Sequence, residues 1–287
     1  MLPSLIRKTI RDYRRSILGW GLGLAALTVM QLAVYPSVRS QGASMRDLIN
    51  SYPTAFKAMF GMDGVDFTSG PGYLSTETFS LLAPLMLIGL GIALGTGAIA
   101  SEEERGTLDL LMANPVSRGL VLAAKALGAL AALVAVAVVL YLTVLAAASG
   151  FDMSIGAGML ARATGAVLLL AIACGAVAFL AGAATGKRGA AIAAGAGFAV
   201  VSYFIDSLAE ITTVVKPWRV VSIFHQASAT GALRGDLGIA GPLATAAFAA
   251  ACLLAAWYLF ARRDLAARRM RRLARHGRLA VMAVRPA

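Results

Sequence analysis

FSLLAPLMLIGLGIALGTGAIASEEERGTLDLLMANPVSR, residues 79–118, decides what kind of protein this is. Its first 22 residues carry no charge; the next four are Ser-Glu-Glu-Glu. A helix of 22 residues is about 33 Å long, enough to cross a hydrocarbon core of about 30 Å. Carboxylates cannot stay in hydrocarbon, where one charge at the centre costs at least about 2.5–3.5 kcal/mol. Glu102, Glu103 and Glu104 therefore mark where the chain leaves the bilayer.

The same alternation of uncharged runs and charged blocks governs the whole chain. Of 287 residues 59% are hydrophobic and only 14% charged, with a mean hydropathy of +0.77. A soluble domain would carry about a quarter charged residues. Six uncharged or nearly uncharged runs emerge, near 16–35, 79–100, 127–148, 163–185, 189–205 and 241–260. The expected fold is all-α, a polytopic membrane protein with six transmembrane helices. The first run exceeds the apolar length of a secretory signal and is followed by YPSVRSQ rather than a small-x-small cleavage site, so it reads as a retained helix.

Lysine and arginine orient the spans. With the N-terminus in the cytoplasm, nineteen basic residues fall inside and seven outside. An even number of spans also returns the basic C-terminal tail to the same side. The chain then divides into a cytoplasmic basic segment 1–15, a six-helix transmembrane body 16–260 and a basic cytoplasmic tail 261–287. In the first segment Leu5, Ile6, Ile10 and Tyr13 fall at helical spacing opposite Arg7, Lys8, Arg11, Arg14 and Arg15, the pattern of an amphipathic helix lying in the interface. The net charge of +12 sits beside hydrophobic spans, so membrane lipids, not nucleic acid, are the expected partner.

Two outer loops follow. In the first, 36–78, Phe56, Met59 and Phe60 recur at i, i+3, i+4, the spacing of a short surface helix. In the last, 206–240, Trp218 and Phe224 suit an interfacial belt, and the sequence leaves open whether this loop re-enters the membrane. Gly19 with Gly23 and Gly91 with Gly95 form GxxxG pairs, which mark helix-packing faces within the chain or between two copies. Pro84 is placed to kink the second span.

Neither a catalytic nor a metal site is expected. Cys174 and Cys252 lie in apolar runs as small buried hydrophobes, and His225 and His276 stand apart from other ligands. Ionisable residues are missing from the middle of every expected span, which disfavours proton- or ion-coupled transport and intramembrane catalysis. The nearest approach to a P-loop, GAATGKRG at 182–189, has the wrong spacing, so any ATP must be bound by another chain.

After the glutamates, Ser101 and Glu104 have the spacing of a capping box that would start a fresh helix, and Gly106 makes a flexible joint. Leu108, Leu111 and Met112 give one apolar face to a helix of about two turns, Asn114-Pro115 stops it, and Ser117 can cap the helix leading into the third span. So short a helix needs a surface to dock on. The bilayer, the chain's own helices and a partner protein all remain open from the residues alone, although glutamates are poorly placed against anionic lipid.

SEEERGTLDLLMANPVSR, with Lys125 beyond it, resembles the first cytoplasmic loop of type-2 ABC exporter permeases, in which E-E-x-x-G-T-L-x-x-L-x-x-x-P-x-S-R recurs. The six spans, basic N-terminal helix, long first and last outer loops and missing ATP site are similar to that family over essentially the whole chain. What the resemblance implies is a coupling helix in 101–118 that docks on a separate ATPase subunit. Glu103, Glu104, Arg105, Gly106, Thr107, Leu108, Leu111 and Pro115 are the positions carried over. It further implies ATP and Mg²⁺ on that partner, no cofactor in this chain, a second permease copy (identical or a sister) and a place in the plasma membrane. The expected function is outward transport of an apolar or amphiphilic substrate. A membrane anchor that recruits partners without a translocation path is the alternative, and a secondary transporter stands behind it.

Overall fold

The computed structural model describes residues 2–53, 56–57, 65–106 and 117–262. Within them the chain is helical, with no strand, and six helices are long and apolar enough to cross a membrane. Span 1 lies in the helix Leu2–Ser40, span 2 in Gly70–Ala98, span 3 in Arg118–Gly150, span 4 in Ala157–Thr185, span 5 in Arg188–Ile211 and span 6 in Ala240–Arg262. Turns joining spans are short where glycine permits. Gly186 (φ +61°) ends span 4 in the left-handed region, and span 5 starts two residues later.

Span 4 is the centre of the bundle. Two thirds (67%) of its most apolar window is buried, against 22% for span 1 and 28% for spans 5 and 6. It packs against spans 2, 3, 5 and 6, while span 1 lies along span 3. Contacts fix the directions. Thr9 meets Gly128 and Gly21 meets Val139, so spans 1 and 3 run parallel; Gly91 meets Ala171 and Gly95 meets Gly175, so spans 2 and 4 do too. Small residues set these crossings because lipid supplies no hydrophobic drive between helices, leaving close backbone packing to hold them. The bundle thus has a basic end, where span 1 begins, and an opposite far end, where Arg39 donates to the Asp152 carbonyl at 3.3 Å.

Three expectations change. The interfacial helix expected over 1–15 and the first span are one unbroken helix of 39 residues, about 58 Å long. Neither glycine nor proline interrupts Leu5–Leu18 to part them, and Thr9 packs on Gly128 of span 3. Span 2 begins at Gly70, not near residue 79, and so takes in Glu77 near its far end. Its first turn is capped by Ser69, whose hydroxyl accepts from Gly72 N at 3.1 Å, and Tyr73 is buried with Tyr35 and Phe67 around it at 5.3 and 5.7 Å. Residues Ser75–Leu82 then form a π-helix that ends as Pro84, which lacks an N–H, enters the next helix. Finally, Phe224 is not an interfacial belt residue: it packs edge-on against Tyr203 at 5.5 Å, whereas Trp218 stays exposed.

The last loop turns back into the bundle. A 3₁₀ turn, Lys216–Val221, and two short helices, Ile223–Gln226 and Ala229–Arg234, fold back between the far ends of spans 4, 5 and 6. Ser222 lies fully buried beside Ser202, nine residues back from the end of span 5 and so about 14 Å below it. Ile223 joins an apolar cluster with Ile88, Leu170, Cys174, Ala249 and Cys252. Of the short surface helix expected around Phe56, Met59 and Phe60 lie outside the described residues; Phe56 itself stacks edge-on to Tyr52 at 5.1 Å.

Candidate functional site

The basic end carries a foot beneath span 2. Helical geometry breaks at Ile99 (φ −128°, ψ −59°), just past the weak helix formers Gly95, Thr96 and Gly97. A one-turn helix, Ala100–Glu104, follows, and Gly106 (φ +74°) turns the chain in the left-handed region where glycine sits without strain. The expected Ser101–Glu104 capping box does not form. The helix starts two residues too early for it, with Ile99 in the cap position, so Ser101 is already inside and turns its hydroxyl back to the Thr96 carbonyl at 3.5 Å.

Glu102 and Glu104 instead turn to different spans. Glu102 pairs with Lys125 of span 3, and both side chains are largely buried (26% and 12% exposed). Removing one member of such a pair leaves the other charge stranded. Glu104 Oε1 accepts from the backbone N–H of Arg188 at 2.8 Å, at the first turn of span 5. Ser117 caps span 3 by accepting from Leu120 N at 3.3 Å. Glu103, Arg105 and Gly106 complete the described part of the foot, while Thr107, Leu108, Leu111 and Pro115 lie outside the described residues, and the expected coupling helix with them.

At the far end the re-entrant segment borders an open cavity of about 880 Å³. Phe79 and Pro84 of span 2, Leu170 of span 4 and Tyr203 of span 5 line it, together with Asp206, Glu210, Lys216, Arg219 and Arg234. Its wall is thus both apolar and charged. Its charges are organised by Arg219, whose Nε donates to Asp206 Oδ1 and whose second guanidinium nitrogen donates to Glu210 Oε1, both at 2.8 Å. Partial burial works against the Arg219 cation, but its hydrogen bond to Asp206 and the Asp206 and Glu210 charges hold its pKa above the ordinary value. Ser222 donates to the Ser202 carbonyl at 2.7 Å and Thr245 to Gln226 at 3.2 Å, fastening the segment to spans 5 and 6.

Sequence reasoning missed the Arg219 clasp. Its signal was present: Asp206 and Glu210 at i, i+4 share one helix face, and like charges so placed repel unless a cation joins them. Among the described residues no group of three or more His, Cys, Asp or Glu is placed to hold a metal, and both cysteines are buried.

The glycine pairs part company. A methyl group at Gly91 would overlap the Ala171 carbonyl oxygen, and one at Gly95 the Gly175 carbonyl oxygen. Around Gly19 there is open space, and near Gly23 only the end of Met86.

A sequence model of the family described as "ABC-2 family transporter protein" matches residues 4–216, nearly three quarters of the chain. No curated protein matches.

Proposed function

The chain belongs to the ABC-2 transporter family, a multi-pass membrane component of permease type, and on that premise we propose that it is the membrane subunit of an ATP-driven exporter. The foot, Glu102–Gly106 with the ten residues after it, is the surface that a separate ATPase subunit engages, and the basic end faces the cytoplasm of a cell membrane. ATP and Mg²⁺ belong to that partner. Two permease copies, identical or sisters, would each seat a foot on an ATPase dimer. Closure on ATP pushes the feet and shifts the spans between an inward and an outward arrangement. A ligand shifts such an equilibrium only by its differential affinity for the two states, which here is supplied through the ATPase.

One observation carries this reading: the foot is bonded to two other spans, through Glu102–Lys125 and Glu104–Arg188, so that a force on it reaches the bundle directly. The cavity's aromatic and charged walls support an amphiphilic substrate with a polar head. Reconstitution with its ATPase in liposomes, using a fluorescent short-chain phospholipid as probe, tests the role of 107–116. Leu111→Asp should cut ATP-driven probe movement at least tenfold while the permease still inserts. Undiminished movement in that variant removes the coupling role, and hydrolysis without movement in the unmodified complex favours an anchor.

A further inference from the structure

Span 5 starts with an end that its own sequence leaves uncapped. Lys187 occupies the cap position without a side-chain acceptor, and the first N–H groups of any α-helix lack partners within it. Glu104, 84 residues away in sequence, supplies the acceptor, and its carboxylate also lies at the positive end of the helix dipole. Small residues let the two approach: a methyl at Gly182 would sit 3.4 Å from Ala100 Cβ of the foot and 3.6 Å from Ala191 Cβ of span 5.

From Arg188 the helix runs unbroken for 24 residues, about 36 Å, and its other end holds the re-entrant segment through Asp206, Glu210 and the Ser202 carbonyl. Between the ends lies a tight crossing. At Gly195 a methyl would stand 3.0 Å from Ala178 Cβ, 3.0 Å from Ile92 Cγ1 and 3.2 Å from the Cys174 carbonyl oxygen. Arg188 is seven residues, about 10 Å, on one side of that crossing, and Asp206 eleven residues, about 16 Å, on the other. Tilting about Gly195 would move the clasp farther than the foot moves.

We infer that Glu104 is a positioning residue that acts within the chain, locking the foot to span 5, and that span 5 is the lever carrying foot movement to the Arg219 clasp over the far-end cavity. This rests on the exporter reading. It differs from that reading in where Glu104 points: to span 5, not to the ATPase.

The test uses the permease–ATPase complex in nanodiscs, with Ala209→Cys as reporter. Ala209 lines the cavity between Asp206 and Glu210 and is 6% exposed. A membrane-impermeant maleimide reads its labelling rate with and without trapped ATP, and the chain without Ala209→Cys gives the background from Cys174 and Cys252. Trapped ATP should change the rate at least fivefold in the parent. Glu104→Ala should shrink that response below twofold while ATPase co-purification is unchanged. Glu104→Gln, which keeps an acceptor oxygen, should restore part of it. Arg219→Gln should label fast with or without nucleotide. A full response in Glu104→Ala sinks the lever alone, as does loss of ATPase binding in both Glu104 variants, which would make Glu104 a docking contact. A parent that ignores trapped ATP overturns the lever and the exporter reading together.

Discussion

Gly91 with Gly95 and Gly19 with Gly23 have the same spacing, yet they sit in opposite circumstances. The span 2 pair faces backbone carbonyls of span 4, at the most buried crossing in the bundle, and a side chain at either position has nowhere to go. The span 1 pair looks outward or onto a flexible methionine tip. Spacing makes close approach possible; what is carried on the facing helix decides whether it happens. Ala171 and Gly175, themselves small and four apart, complete the first crossing, whereas span 1 turns its Gly21 and Leu24 side to span 3 and leaves Gly19 out.

The comparison breaks most visibly at Gly95. Gly95→Leu should destabilise by more than the about 1–3 kcal/mol typical of an overpacked core, because the obstacle is backbone and cannot rotate away. A sharply lower thermal unfolding midpoint in detergent, or loss of inserted protein, is the expected result, and a wild-type midpoint would show that spans 2 and 4 do not cross here. Gly241→Ala should cost less, about 1–2 kcal/mol. The added methyl meets the Gln226 carbonyl of the short re-entrant segment, which can shift where a spanning helix cannot. Proteolysis or maleimide labelling of that segment should rise even where the midpoint barely moves. Gly195→Ala sharpens the scale at its middle: its neighbours stand 3.0–3.2 Å from the new methyl and must yield only slightly, so a loss of about 1 kcal/mol or less is expected. Smallest of all, Gly19→Ala should leave the midpoint unchanged or raise it slightly, since alanine favours the helix and nothing opposes it. If Gly19→Ala instead weakens self-association in sedimentation without touching the midpoint, the outward pair is a seam between copies.

Much of this was legible from residue order. All six spans, the end of span 2 at the glutamates, the Ser117 cap and the buried cysteines follow from where charge and hydroxyl groups can reside relative to hydrocarbon. These are one-body constraints: each residue's cost depends on its surroundings being oil or water, and the chain reports that directly. Pairwise facts were not legible. The Ser101–Glu104 motif predicts a capping box, but helix geometry restarted at Ile99 and released Glu104 to span 5. Asp206, Glu210 and Arg219 could be read as separate loop-end charges until the fold brought them to one clasp.

The sequence alone thus determined that this is a membrane protein of six helices, because transfer of charge and unpaired backbone into hydrocarbon is too costly for any other arrangement of these residues. Tertiary structure decided which glycines touch, where each foot glutamate points and that the last loop turns back into the bundle. Those choices turn on differences of a few kcal/mol between alternative contacts, and they become definite only when the facing surface is in place.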